Sequence, residues 1–161
     1  MTKSSIELTK KRFDSILKYD RRTGIFTWLV SRGKARAGSQ AGVLNTDGYR
    51  VIRIDGTLYY AHRLAIFCCT GKWPEFDTDH RNGRRDDNRL RNIRVATRSQ
   101  NNENRAGIKG YTKTPSGKYQ AQIQSGGKHI KLGTFDCPDT AHAAYLSAKN
   151  ELHTFQPTPR Q

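Results

Sequence analysis

Apolar residues at Ile6, Phe13, Ile16 and Leu17 recur near helical spacing behind Ser4-Ser5-Ile6-Glu7. Ser4 as N-cap with Glu7 three residues on is a capping box, so the pattern predicts a first helix to about Tyr19. Asp20 to Gly24 reads as a turn and Ile25-Phe26-Thr27-Trp28-Leu29-Val30 as a strand. Residues 31–42, rich in Gly, Ala, Lys and Arg, read as an exposed basic loop. Gly48 to Ile54 and Thr57 to Tyr60 flank Asp55-Gly56, a strong signal for a two-residue hairpin. A short helix follows over roughly Ala61 to Thr70, stopped by Gly71 with Pro74 beyond. Phe76 to Asp79 is a short strand that delivers His80, Ile93 to Thr97 a second strand, and Ser99 to Arg105 a polar helix.

The texture changes near Ala106-Gly107. Three short strands are expected at Ile108–Thr112, Tyr119–Gln124 and His129–Phe135, joined by Ser116-Gly117 and Gly126-Gly127. A helix starts at Pro138-Asp139, with Asp139 as cap and Ala141, Ala144, Tyr145, Ala148 and Leu152 on one face. Small alanines on that stripe let the helix lie close on a three-stranded sheet. The expected division is therefore 1–105, 106–155 and a fraying tail, 156–161.

Charge changes the picture most. The 161 residues carry 29 Lys+Arg against 14 Asp+Glu, a formal net charge of +15, which points to a polyanionic partner, most often nucleic acid. Cys68, Cys69 and Cys137 form no C-x-x-C pair, which argues against structural zinc and a disulfide framework. No apolar run approaches a membrane span and the N-terminus has no hydrophobic signal core, so the expected place of action is the cytoplasm, without a membrane partner.

Asp79-His80 is followed by Asn92 twelve residues on and Asn101 nine after that, with a basic, loop-like segment between. Phosphodiester hydrolysis needs an activated water, neutralised phosphate charge and a stabilised leaving oxyanion. A neutral imidazole such as His80 is a base near neutral pH. Asp79 and the amide oxygen of Asn101 are hard oxygen donors that suit Mg²⁺, with Mn²⁺ as a substitute, and with only two protein ligands the affinity should be weak. His62 reads as a core or DNA-backbone contact rather than a second base, and His129, His142 and His153 as structural.

Residues 62–104 resemble the HNH family of homing-type endonucleases found in phages. The resemblance rests on His62-Arg63-Leu64-Ala65, Trp73-Pro74, Asp79-His80-Arg81-Asn82-Gly83, Asp87-Asn88-Arg89-Leu90-Arg91-Asn92-Ile93-Arg94 and Gln100-Asn101-Asn102-Glu103-Asn104. It implies a ββα-metal (His-Me finger) fold, His80 as general base, Asp79 and Asn101 as metal ligands, and Asn92 bracing the loop that holds the base. The last family position is Asn101 rather than His, as in the intron-homing phage subgroup; the cysteine pairs of the zinc-stapled subgroup are missing. Residues from Lys109-Gly110-Tyr111 through Leu132-Gly133-Thr134-Phe135 and the Ala-rich helix resemble the DNA-binding domain of plant ethylene-response factors, the apetala-two type. That resemblance implies that Lys109, Lys113, Lys118, Tyr119, Gln122 and Lys131 face the major groove. The expected fold class is thus α+β: a ββα-metal domain, then a small three-stranded antiparallel sheet with one helix.

Arg81, Arg84, Arg85, Arg89, Arg91 and Arg94, with Arg98 and Arg105, surround the proposed catalytic loop, and a guanidinium fork suits phosphate oxygens. The resulting expectation is a metal-dependent nuclease of double-stranded DNA, monomer or homodimer, acting in the host cytoplasm if phage-encoded. The rival is a non-catalytic DNA-binding protein or regulator. An RNA-binding protein of ribosomal type would explain the charge but not the Asp-His pair.

Overall fold

The computed structural model describes residues 8–103, 105 and 107–155. It divides into two compact units, Met1–Val95 and Ala96–Gln161. Each is mixed helix and antiparallel sheet. Among the described residues no helix is long and apolar enough to cross a membrane.

In the first unit Thr9 caps α1 (Lys10–Ile16), its hydroxyl accepting from the Arg12 N–H at 3.2 Å. The expected capping box at Ser4–Glu7 lies outside the described residues. The helix ends three residues before Tyr19, because Leu17–Tyr19 forms β1 and pairs antiparallel with β2 (Phe26–Trp28), Leu17 opposite Trp28. Extended backbone still buries Leu17, which is 2% exposed, and adds a sheet partner.

A second sheet is ordered β3 (Val43–Leu44), β4 (Arg50–Ile54) and β5 (Thr57–Tyr60). Asp55 and Gly56 both take positive φ, 48° and 86°, as a type I′ hairpin turn requires. α2 (Ala61–Thr70) follows directly and ends where Gly71 turns left-handed and its N–H returns to the Phe67 carbonyl at 2.8 Å. Leu64, Ala65 and Phe67 face the core. There the Phe13 ring meets Phe26 and Phe67 edge-on, each at 6.2 Å, and Trp73 stacks on Phe67 at 4.4 Å. Full burial of such a side chain contributes roughly 1.5–3 kcal/mol. The same helix therefore holds its first turn, Ala61 and His62, rigidly inward.

β6 (Asp77–His80) and β7 (Ile93–Ala96) make a two-stranded sheet. The chain between them, residues 81–92, ends in a 3₁₀ turn, Leu90–Asn92. Strand β6 runs one residue later than expected, so His80 is its last residue rather than the first of the loop.

The second unit begins with α3 (Arg98–Glu103). Thr97 and Gln100 cap it reciprocally: the Thr97 hydroxyl accepts from the Gln100 N–H at 3.3 Å, and Gln100 Oε1 accepts from the Thr97 N–H at 2.9 Å. β8 (Tyr111–Lys113), β9 (Tyr119–Ser125) and β10 (Lys128–Phe135) form an antiparallel sheet in the order β10-β9-β8. α4 (Pro138–Leu152) packs on it, with Cys137 rather than Asp139 at the N-cap and Pro138 in the first turn. Ala121, Ile123, Ala141 and Tyr145 are buried. A Cβ on Gly110 would fall 2.0–2.5 Å from Tyr145 side-chain atoms, so only glycine lets the chain pass that ring. Leu152, expected on the buried stripe, is 39% exposed, and Lys149 takes the inward place. A lysine stem can cover apolar surface, and here its ammonium sits 6.0 Å from the Tyr145 ring centre.

Candidate active site

His80 is 3% exposed and Asp79 8%, side by side at the end of β6. Burial pushes the His80 pKa below that of a free imidazole, opposed by its contact with Asn88 and the charge of Asp79, so the ring is neutral near pH 7. Asp79 is held by Arg94: Nε donates to Oδ2 at 2.9 Å, and Nη2 forms an ion pair with the same oxygen at 2.8 Å. The guanidinium thus sits directly against the carboxylate in a nearly closed environment.

The loop after His80 is closed by its own side chains. Asn92, 6% exposed, accepts the Asn82 N–H on Oδ1 at 3.1 Å and donates through Nδ2 to the Asp87 carbonyl at 2.8 Å. The Asp87 carboxylate accepts from Asn82 Nδ2 at 2.8 Å and from both ends of the Arg89 fork. The Arg89 guanidinium first, then Asn82, holds the Asp87 carboxyl well below the usual range. Backbone bonds tie the ends together, Arg81 N–H to the Asn92 carbonyl and Gly83 N–H to the His80 carbonyl, both at 2.8 Å. Asn82, Asp87, Arg89 and Asn92 therefore close the loop next to the strand end that carries His80.

The turn between β1 and β2 supports the loop from below. The Tyr19 hydroxyl donates to the Asn88 carbonyl at 2.7 Å, and the Leu90 N–H donates to the Arg21 carbonyl at 3.1 Å. Gly24, at φ 77°, lies so close that a Cβ there would be 2.4 Å from the Arg89 nitrogen. Beside His80 the His62 ring stands edge-on at 5.0 Å, with Tyr49 and Tyr60 packed around it. Burial first, and the neighbouring His80 second, drop the His62 pKa to about 3. Among the described residues no group hydrogen-bonds its buried Nδ1.

The expected site residues separate by position. Asp79, His80 and Asn92 come together in the first unit. Asn101 lies on α3 of the second unit. Of the six arginines, Arg81, Arg84, Arg85 and Arg91 are exposed, whereas Arg89 and Arg94 are engaged by Asp87 and Asp79. The last two pair within the fold, because a charge next to a carboxylate about nine-tenths buried is worth more there than in solvent. Arg85 leans over the Tyr49 ring at 5.0 Å and donates to the Asp47 carbonyl at 2.7 Å.

In the second unit strand alternation splits the six expected contacts. Ala121 and Ile123 are buried, so Gln120, Gln122 and Gln124 point to the opposite face, with Lys131 across from Gln122 and His129 across from Gln124. Lys113 and Tyr119 pair with each other on the Ala121 side and cannot share a face with Gln122 and Lys131. Lys109 and Lys118 are exposed in the connections, Lys118 3.0 Å from Asp136.

Two residues were given no part at the site by the sequence reading. Asn88 stood in the HNH-like motif without a role of its own, and His62, read as a core or DNA-backbone contact, gave no sign that its ring would meet His80. Three-dimensional closure is the only signal for either.

The donor set suits a hard cation in kind, since Asp79 is a charged oxygen donor beside the imidazole. Among the described residues there is no group of three or more His, Cys, Asp or Glu side chains that could hold a metal ion. A comparison with curated proteins and one with solved structures give no match. Residues 59–103, from within β5 through α3, match a family model described as HNH endonuclease, a similarity that supports nuclease activity for this part of the chain.

Proposed function

We propose that the protein is a divalent-cation-dependent endonuclease that hydrolyses phosphodiester bonds of double-stranded DNA. The observation that carries the reading is a neutral, buried His80 next to Asp79, at the mouth of a loop braced by Asn92, within the segment that matches the nuclease family. His80 takes a proton from the attacking water as its oxygen bonds to phosphorus, and the bond from phosphorus to the leaving oxygen breaks. A base so placed contributes roughly 10²- to 10⁴-fold. Asp79 is the ligand that the first unit supplies to a cation; the part of Asn101 rests on the motif's spacing alone. When bound, Mg²⁺ or Mn²⁺ neutralises phosphate charge and stabilises the leaving oxyanion.

The surplus of positive charge supports a polyanionic substrate, with Arg81, Arg84, Arg85 and Arg91 offered to phosphates. The second unit acts as a DNA-binding module of the ethylene-response-factor kind, its open sheet face carrying Gln122 and Lys131 toward bases. The motif pattern favours a homing-type enzyme of phage origin, monomer or homodimer; one such site cuts one strand, so a monomer nicks and a double-strand break takes two chains or two visits. Conversion of supercoiled plasmid to open circle with Mg²⁺, blocked by chelator, is the test. A protein that binds plasmid but leaves it supercoiled at every cation concentration is the non-catalytic rival instead.

A further inference from the structure

We propose that Tyr60 offers a stacking face to one unpaired nucleobase beside the scissile phosphate, so that the enzyme favours DNA opened locally at the point of cutting. The inference rests on the nuclease reading above. Strand alternation separates the two tyrosines that end β5. Tyr59 turns into the core and stacks on Trp73, ring centres 5.4 Å apart, whereas Tyr60 turns outward and stays 42% exposed. A lone exposed ring would call for no explanation. This one belongs to a cluster: Tyr60 meets Tyr49 edge-on at 5.6 Å and the tilted His62 ring at 5.3 Å, and His62 in turn meets His80 at 5.0 Å. A single imidazole thus separates the exposed ring from the proposed base.

The ring is held in place before any ligand arrives. Tyr60 is the N-cap of α2 and pairs with Val51 across the sheet, and α2 itself is anchored by Leu64, Ala65 and Phe67 in the core. Its neighbour Tyr49 carries the Arg85 guanidinium 5.0 Å over its own ring, and that guanidinium is tied to the Asp47 carbonyl at 2.7 Å. A side chain ordered beforehand loses little freedom on binding. The charges nearby name the partner. Arg81, Arg84 and Arg85 are exposed in the loop after β6, in a chain of net charge +15. An apolar molecule gains nothing from those cations, and a free phosphate gains nothing from the ring. A nucleotide uses both, with an anionic phosphate and a flat base one sugar away. Inside an intact duplex both faces of each base are covered by its neighbours, so only an unstacked nucleotide can present one. Aromatic rings take such a base whatever its sequence.

The test uses the full-length protein in EDTA, where no strand is cut, and two short duplexes with equal numbers of phosphates. One sets 2-aminopurine opposite thymine, the other opposite an abasic residue. By anisotropy at one salt concentration the wild type should bind the second duplex roughly 5- to 100-fold more tightly. Its 2-aminopurine fluorescence should fall on binding, as stacking on a ring requires. Equal affinities for the two duplexes overturn the inference. Tyr60→Leu should erase the preference and hold affinity for the paired duplex within a few-fold, whereas Tyr60→Phe and Tyr60→Trp should keep the preference. A leucine variant that still prefers the unpaired base, or that loses both duplexes alike, overturns the assignment to Tyr60. Should the leucine variant not fold, the phenylalanine variant decides: loss of the preference there marks a hydroxyl contact and defeats stacking. Nicking with Mg²⁺ in a protein that shows no preference leaves the nuclease reading standing without this subsite. A preference in a protein that nicks under no divalent cation defeats the nuclease reading and keeps the stacking face.

Discussion

Arg94 places both Nε and Nη2 within 2.9 Å of one oxygen of Asp79, Oδ2, with both side chains about nine-tenths buried. The guanidinium therefore compensates the carboxylate proposed as a cation ligand. Arg94→Met removes that guanidinium from a buried carboxylate and should cost on the order of 3–5 kcal/mol in urea denaturation. If Asp79 binds a cation, adding Mg²⁺ should return part of that loss, with a larger rise in Tm than in the wild type. An equal Mg²⁺ response in both proteins would remove Asp79 from the ligand set.

His80→Ala should lower the nicking rate constant by about 10²- to 10⁴-fold while duplex affinity stays within a few-fold. Parallel loss of binding and cutting, measured by fluorescence anisotropy and plasmid relaxation, would mark the imidazole as structural.

His62 makes stability depend on pH. Its folded pKa of about 3 lies below the ordinary 6.5. Between those values the unfolded chain binds the proton and the folded one does not, so stability rises with pH through this window. Falling pH should therefore weaken the protein from about 6.5 downward, until the slope ends near 3. His62→Phe keeps the ring packing without the nitrogens and should flatten that limb in chemical denaturation; an unchanged limb would assign the acid sensitivity elsewhere.

Gly24→Ala should damage the site from a distance. The residue sits at φ 77°, where a side chain costs about 1–2 kcal/mol, and its Cβ would strike the backbone of Asn88 and Arg89. The loop that carries Asn88 must shift to make room. We expect lower stability and a fall in nicking rate that exceeds any fall in DNA affinity. Wild-type kinetics in this variant would show that the turn does not support the site.

Duplex affinity should respond steeply to salt. Neutralising about six phosphates predicts a fall of roughly 10³-fold between 50 and 200 mM salt. A nearly flat dependence, by anisotropy with a labelled duplex, would mean that the exposed arginines do not contact the backbone.

Much of the local structure was legible in the sequence because it depends on neighbours a few residues apart. The Asp55-Gly56 turn, the α2 helix with its Gly71 stop and the β9 strand are all short-range consequences of backbone freedom and burial. The pairing of an acid with a histidine, and the excess of positive charge, were equally plain.

Where a residue competes between partners far apart in the chain, the sequence was silent and tertiary contact decided. Leu17 left its helix for a strand because Trp28 stood ready to pair with it. Arg89 and Arg94 turned from solvent to carboxylates, and Lys149 displaced Leu152 from the buried stripe. Above all, Asn88 reaches its buried place beside His80 only because the loop is closed by Asn92 and pressed by Tyr19 and Gly24. Residue order alone determined that an imidazole and a carboxylate are neighbours; burial and hydrogen bonding, which exist only once the chain has closed on itself, determined the surroundings in which that imidazole sits.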